Sequence, residues 1–428
     1  FEKNQLNFSN YKRIVTMKIE DIEIFCVEPE IRTDVPDYPA PMSQLHQRVV
    51  FKVTIDNGVI GYGEYRSYAP NKASVQSLLG RNVFDFVNHD LNIGLSQWSL
   101  GLSAALYDAM GKCLEIPAYK LMGTKMRDRV AVSAWTRPCS PEVFSREIGR
   151  AVDQGYNLLK MHTCHHYDVY EQTDAAEQVA PRRFRIQYDF NHNRSVGVVL
   201  PIIKRLEKSW VIGSIEDPLV LTDIDGWRRL REKTEIPLFM HVPPLGGLQE
   251  MLHGLADGYI IGEYCGGFGD ALQRGFAYSK ANIPSVIQLT GGSLITAFAL
   301  HLGAVIPKIA HTITLDDNYA EDLSKDRIPV IDGCSPVPEK PGLGVEVDEE
   351  KLQEMIARRP YKMPKVLGVT RFAGGNTLYS VGFPNLEALI GYQEGSVREH
   401  KFELFEDDGS ENFDRLYTRA EREGSFFE

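Results

Sequence analysis

Residues 157 to 168 read NLLKMHTCHHYD, and the nine positions from Lys160 hold that lysine, His162, Cys164, His165, His166 and Asp168. Such a set could be a metal cluster, a catalytic base with its surroundings, or a polar loop. Its local spacing leaves all three open. Further along, Asp189-Phe190-Asn191, Glu216-Asp217-Pro218 and His241 each close a short apolar run. A single carboxylate after a strand is commonly a helix N-cap. Oxygen or nitrogen donors ending three successive runs at one height are what a divalent cation requires. Asp189, Glu216 and His241 are therefore the candidate metal ligands.

The elements that must carry these residues follow from a repeat. VAVSAW, LLKMH, RIQYDF, VIGSIED, IPLFMH, GYIIGEY, IPSVIQL and IAHTITL are apolar runs whose ends recur roughly every 23 to 28 residues. Each interval has room for one helix. In SPEVFSREIGRAVDQG, Ser140 is the expected N-cap, Pro141 fits the first turn and Gly155 fits the stop. Eight near-continuous apolar strands separated by seven helices imply parallel strands buried on both faces, and a closed barrel is the simplest arrangement. An open doubly wound sheet would need a glycine-rich phosphate loop after its first strand, which is missing. In a barrel of this kind the active site forms at the C-terminal ends of the strands, where Lys160, His162, Asp189, Glu216 and His241 fall.

Before the repeat, MKIEDIEIFCVEP and RVVFKVTIDNGVIGYGEYR alternate apolar and polar residues around the turn Asp56-Asn57-Gly58, and SLGLSAALYDAMGKCLEIPAYKLMG has helical spacing. Residues 17 to 125 thus read as an α+β domain. Composition narrows the partners. A net charge of -11 excludes a phosphate-tracking nucleic-acid surface. No apolar run is long enough to cross a membrane. The six cysteines, at 26, 113, 139, 164, 265 and 334, form no paired motif and read as reduced thiols, so a cytoplasmic protein is expected. The segment before Met17 has no apolar leader core.

Taken in order, GVIGYGE, the helix running into ALYDAMGKCLEIPAYKLMGTKMRDRV, the Lys160-x-His162 pair, YDFN, SIEDPL and PEKPGLGVEVDEEKL resemble the enolase superfamily, in particular its mandelate racemase and muconate-lactonizing branch. The resemblance spans residues 17 to about 350. It implies a (β/α)7β TIM-like barrel over 126 to 345, with an α+β capping domain formed by residues 17 to 125 and the C-terminal segment 346 to 428. It also implies a divalent ion, usually Mg2+, held after the third, fourth and fifth barrel strands and binding the substrate carboxylate. A base removes the proton α to that carboxylate, and the ion stabilises the enediolate. That proton is so weakly acidic that metal charge must offset the developing dianion before Lys or His can act.

Two positions depart from the family pattern. His241 stands where the third ligand is normally a carboxylate, which favours Mn2+ or another divalent ion over Mg2+. The His-Asp dyad after the seventh and sixth barrel strands is replaced by Gln288 and Gly262; Glu263, one position on, points to the other face if its strand is regular. Lys160 and His162 are then the remaining proton-transfer groups, with burial near a metal expected to lower the lysine pKa. Asp316 is a further catalytic candidate. Asn191, His165 and Gln288 are candidate substrate contacts. Cys164, with no base aimed at it, reads as packing. RTDVPDYPAPMSQLHQ and YRSYAPNKASVQ fall where the family closes over substrate.

A one-sided acid-base site suits syn elimination, so the expected activity is a metal-dependent sugar-acid dehydratase, a lyase, acting as a homo-oligomer on a small carboxylate. A cycloisomerase or epimerase is the alternative within the family, and an inactive carboxylate-binding member the alternative outside catalysis. A zinc hydrolase of amidohydrolase type would need His-x-His on the first barrel strand, and VAVSAW has none. Beyond residue 365, TLYSVGF and HKFELFE suggest a strand-containing extension packed on the cap or on a neighbouring subunit.

Overall fold

The computed structural model describes residues 17–35, 43–88, 98–359, 362–391 and 393–428. The first sheet is antiparallel and holds β1 (Ile19–Val27), β2 (Arg48–Ile55) and β3 (Ile60–Tyr65) in that order. The Asp56-Asn57-Gly58 turn joins the last two, with Gly58 at φ 83° donating its N–H to the Ile55 carbonyl at 2.8 Å. The helix Trp98–Leu114 lies directly on β3. Gly61 and Gly63 make this possible, because a Cβ at either position would fall 2.2 Å from a backbone oxygen of the helix, Ala105 O or Gly101 O. The expected α+β unit forms, and the sequence GVIGYGE is explained by that close approach.

The eight apolar runs form β4 (Arg129–Thr136), β5 (Leu158–His162), β6 (Arg185–Asp189), β7 (Ile212–Glu216), β8 (Leu238–Met240), β9 (Gly258–Gly262), β10 (Ser285–Gln288) and β11 (Ile309–Ile313). They pair in parallel from β4 to β11, and β11 pairs back on β4, so the barrel closes. A short strand, β12 (Cys334–Pro336), runs antiparallel to β4. The helix Pro141–Asp153 starts as its sequence requires: Ser140 Oγ accepts from the Val143 N–H at 3.4 Å, Pro141 occupies the first turn, and Gly155 takes φ 93° just past the end. One set of strand side chains, including Val132, Ile215, Ile261 and Ile287, forms a continuous core with the cap, and Trp135, Phe239, Ile260, Val286 and Ile313 form a second cluster with Ile31, Val35 and Leu45.

Register sets the heights of the functional side chains. His162 pairs with Asp189 and Asp189 with Glu216, so these three strand ends are level. Lys160 pairs with Gln187 and lies two residues deeper.

After the barrel, the helix Glu349–Ala357 packs on β1. The remaining chain builds a second antiparallel sheet from β13 (Val366–Arg371), β14 (Thr377–Val381), β15 (Lys401–Glu406) and β16 (Phe426–Phe427), in the order β15-β13-β14-β16. The helix Glu411–Glu423 covers it, and Leu367, Val369, Phe413, Leu416, Ala420 and Phe426 form a separate small core. This extension meets the rim of the barrel at residues 163–170 and 190–195. None of the six cysteines, all within the described residues, is in a disulfide. Among the described residues no helix is long and apolar enough to cross a membrane.

Candidate active site

At the C-terminal mouth of the barrel is a cavity of about 420 Å³. Its walls include His162, Asp189, Asn191, His192, Asp217, His241, Glu263, Gln288 and Thr290, with Trp135, Ile313 and Leu315 as an apolar side. The cap contributes Leu45 and Arg66, from the two segments expected to close over substrate. Residues 36 to 42 of the first segment lie outside the described residues.

Beneath the cavity floor Lys160 is buried with its Nζ 3.1 Å from Asp189 Oδ2, 2.7 Å from Glu216 Oε2 and 3.0 Å from Gln288 Oε1. Burial alone would depress its pKa. Attraction to Glu216 and then Asp189 outweighs that, so the pKa is held above the ordinary lysine value. The sequence reading expected the reverse. Desolvation alone gives that lower value, and two carboxylates within ion-pair distance reverse it.

Asp189 is held below the ordinary carboxylate range, because His162 and Lys160 together with the Asn191 N–H overcome its burial. Glu216 also accepts from Gln187 Nε2 at 2.6 Å and lies 3.1 Å from His241 Nδ1. Next to it, burial and then repulsion from Asp189 and Glu216 push the Asp217 carboxyl up to about 8. Glu216, Asp217 and His241 each offer a donor atom, and those atoms lie within 4.8 Å of one another. The His241 Nε2 is buried without a hydrogen-bond partner among the described residues. Two carboxylates on one ammonium, a third carboxyl beside them and an imidazole nitrogen left over form a cluster that could hold a divalent cation. Asp217 joins this cluster although the sequence reading passed it over.

His162 stands at the rim, one-third exposed. Its Nδ1 is 2.8 Å from Asn191 Oδ1 and 3.3 Å from Asp189 Oδ2. With Nδ1–H donated to these oxygens, Nε2 is the ring atom left to accept a proton. Asn191 and His192 adopt φ 57° and 47°, two consecutive left-handed residues that are not glycine. Such conformations cost on the order of 1–3 kcal/mol each and persist only where surrounding contacts hold them.

The opposite wall differs from the sequence expectation. Gly262 ends β9 at φ 111°, a conformation open to glycine, and this breaks the strand alternation so that Glu263 faces the cavity. Its carboxylate accepts from Gln288 Nε2 at 2.7 Å, Tyr65 Oη at 2.5 Å, Arg66 Nη2 at 3.3 Å and the Thr290 hydroxyl. Burial opposes ionisation of Glu263, but Arg66, His241 and these hydroxyls bring its pKa down to about 2. Gln288 therefore bridges Lys160 to Glu263 through its two amide atoms. The glycine immediately before Glu263 was the signal available in the sequence.

Asp316 and His165 do not line this cavity. Asp316 is buried, accepts from Thr314 Oγ1 at 2.7 Å, and is raised to about 6 by burial and by Asp317. His165 and Cys164 line a much smaller cavity between the barrel and the extension. Of the nine site residues named from sequence, His162, Asp189, Asn191, His241 and Gln288 line the large cavity, with Lys160 and Glu216 directly beneath it.

Comparison with known proteins agrees with this geometry. Residues 143–351 match the family model described as enolase C-terminal domain-like. An N-succinyl-L-Arg/Lys racemase from Bacillus cereus is 24% identical over 376 residues, covering 79% of this chain and 98% of the relative. A D-gluconate dehydratase from Thermoproteus tenax is 25% identical over 360 residues, covering 74% of this chain and 71% of that enzyme. The crystal structure of the 3,6-anhydro-D-galactonate cycloisomerase from Zobellia galactanivorans superposes with a TM-score of 0.63 at 22% identity, over 79% of this chain and 99% of that one. The closed barrel and the matched sequence agree: residues 143–351 belong to the enolase superfamily, in its mandelate racemase and muconate-lactonizing branch.

Proposed function

We propose that this protein is a sugar-acid dehydratase. The observation that carries the reading is the asymmetry of the cavity. One wall presents His162, an imidazole that can take and return a proton. The facing wall presents an amide, Gln288, locked between an ammonium and a carboxylate, and an amide cannot carry a proton at neutral pH. Glu263, ionised and with four donors on it, is no substitute. Reversible inversion at a carbon needs proton carriers on both faces, whereas elimination of a proton and a hydroxyl from the same face needs one group. A dehydratase name among the relatives supports the same reading.

In the proposed reaction His162 Nε2 accepts the proton α to the substrate carboxylate. The β-hydroxyl then leaves, taking that proton from His162 as water, and the enol product becomes a 2-keto acid. Lys160 holds the carboxylate cluster together as a fixed countercharge. Asn191 keeps the His162 ring oriented. Arg66, Thr290 and Glu263 offer a polar wall suited to hydroxyl groups, and the cavity volume lies within the range of small-molecule sites, about 300–1,000 Å³. A divalent cation, Mg2+ or Mn2+, would supply positive charge for the substrate carboxylate. Glu216 and His241 would hold it, flanked by Asp189 and Asp217. In calorimetry with each ion, Glu216→Gln should abolish binding, and comparison of Asp189→Asn with Asp217→Asn identifies the third ligand. Binding that survives Glu216→Gln and His241→Ala removes the metal assignment.

The test of the reaction is a panel of sugar acids assayed for 2-keto product with Mg2+ and with Mn2+. His162→Asn should reduce turnover about 100- to 10,000-fold, the usual cost of losing a positioned acid-base group. Accumulation of an epimer or a lactone in place of a 2-keto acid would transfer the protein to the isomerase reading. Near-normal turnover by His162→Asn would end the role given to that residue.

A further inference from the structure

The histidine-rich turn after β5 and the extension beyond residue 365 are in contact, and the residues between them lead back to the cavity. Gln393 Oε1 accepts from the Ser195 N–H and from Ser195 Oγ, both at 2.9 Å. The Glu394 carboxylate accepts from Asn193 Nδ2 at 3.0 Å and forms an ion pair with Arg194 Nη2, while Arg194 Nε donates to the Glu394 carbonyl at 3.0 Å. Both members of this pair are only 2% exposed. On its other side Arg194 donates to the Phe190 carbonyl at 2.6 Å and to Thr163 Oγ1 at 3.1 Å. One step further, the Thr163 carbonyl accepts from Asn191 Nδ2 at 2.8 Å, and Asn191 Oδ1 meets His162 Nδ1.

We propose that Arg194 and Glu394 are positioning residues, through which the C-terminal unit holds the left-handed turn at Asn191-His192 and thereby fixes the His162 ring at the cavity. The turn is strained and lies past the end of β6 at Asp189; on the barrel side the Phe190 and His192 N–H groups hold it by donating to the Glu216 and Asp217 carbonyls, both at 2.8 Å. Arg194 closes it from outside by capturing the Phe190 carbonyl, and a buried guanidinium stays there only with a carboxylate beside it. A second set of contacts fastens the neighbouring loop. A His400 ring nitrogen lies at the His165 carbonyl, Arg398 pairs with Asp168, and the His166 ring packs 4.3 Å from that of Phe402. The family match ends at residue 351, so the half of the clamp carrying Glu394 lies beyond it. The KMHTCHH stretch thus divides: Lys160 and His162 belong to the site, and the histidines that follow belong to the joint.

The inference rests on the proposed role of His162 for its kinetic consequence but not for its physical one, and the two are measured separately. In full-length Glu394→Ala, hydrogen exchange followed by mass spectrometry should accelerate tenfold or more in residues 157–168 and 189–195 and stay unchanged in residues 238–288. Turnover of the best sugar acid should fall 10- to 100-fold in kcat with KM within about threefold, and Glu394→Asp, which keeps the carboxylate, should recover part of the loss where Glu394→Gln does not. If Glu394→Ala does not fold, Gln393→Ala loosens the same joint and should show the same pattern at smaller size. Exchange that rises throughout the barrel, or nowhere, overturns the proposal, as does local acceleration with kcat intact. If the wild type turns over no sugar acid, the proposed reaction fails and the exchange pattern alone decides: acceleration confined to the two segments supports the joint, and any other pattern overturns it.

Discussion

Gln288 is an amide at the position that would complete a second acid-base face. Gln288→His places an imidazole between Lys160 and Glu263, whose carboxylate is ready to orient it. The expected outcome is exchange of the substrate α-hydrogen from the second face, seen by proton NMR in deuterated solvent as epimerised substrate at least tenfold above the wild-type level. Substrate that keeps its configuration would show that more than one residue separates the two chemistries. Glu263 gives a pH prediction. Its folded-state pKa is depressed from 4.5 to about 2, so its stabilising contribution is complete above the unfolded value and is lost as pH falls from about 4.5 to about 2. That contribution is on the order of 3 kcal/mol at neutral pH. In urea denaturation the stability gap between wild type and Glu263→Gln should therefore be widest near neutrality and narrow through this window. Residue types and spacing in the sequence were enough to list Lys160, His162, Asp189, Glu216 and His241. They were not enough to place Glu263, because alternation assumes a regular strand and Gly262 ends that regularity, nor to give the sign of the Lys160 shift, which depends on charges brought close by two other strands.

At the scale of elements, the eight barrel runs were legible because a strand buried on both faces leaves an apolar signature that a helix of the same length cannot imitate once glycine, proline and N-cap residues mark its ends. The extension was legible as strands but not as to what it touches, since Gln393, Glu394 and Arg398 look like ordinary surface residues until their partners are known. The contact between β3 and the helix Trp98–Leu114 is the most demanding in the cap. Gly63→Ala would put a methyl 2.2 Å from the Gly101 oxygen, with helix backbone rather than a flexible side chain in the way. Overpacking of this kind costs about 1–3 kcal/mol, so the midpoint of thermal unfolding should drop measurably. An unchanged midpoint would mean that the helix can move off the sheet at no cost.

For the molecule as a whole, a buried ion pair within the cap reaches the barrel through one of its members, Glu64. Arg48 Nη1 lies 2.8 Å from Glu64 Oε2 with neither side chain exposed, and Glu64 Oε1 accepts the Leu294 N–H at the start of the helix after β10. Glu64→Ala leaves a buried guanidinium and an unsatisfied helix end, and should destabilise the protein by about 3–5 kcal/mol in urea denaturation. A loss below about 1 kcal/mol would mean that the contacts of Glu64 add little to the joint between cap and barrel. The other long-range joint, Arg194 with Glu394, bears on biosynthesis. The barrel is complete in sequence at Ile313, whereas the carboxylate that secures its rim is encoded 81 residues later. At translation rates of about 5–20 residues per second, a growing chain passes roughly 4–16 seconds with the barrel synthesised and Arg194 lacking its counterion. A ribosome stalled in that interval would carry a closed barrel whose mouth is still loose, so nascent chains should gain the strands that carry Asp189, Glu216 and His241 before His162 is held in place.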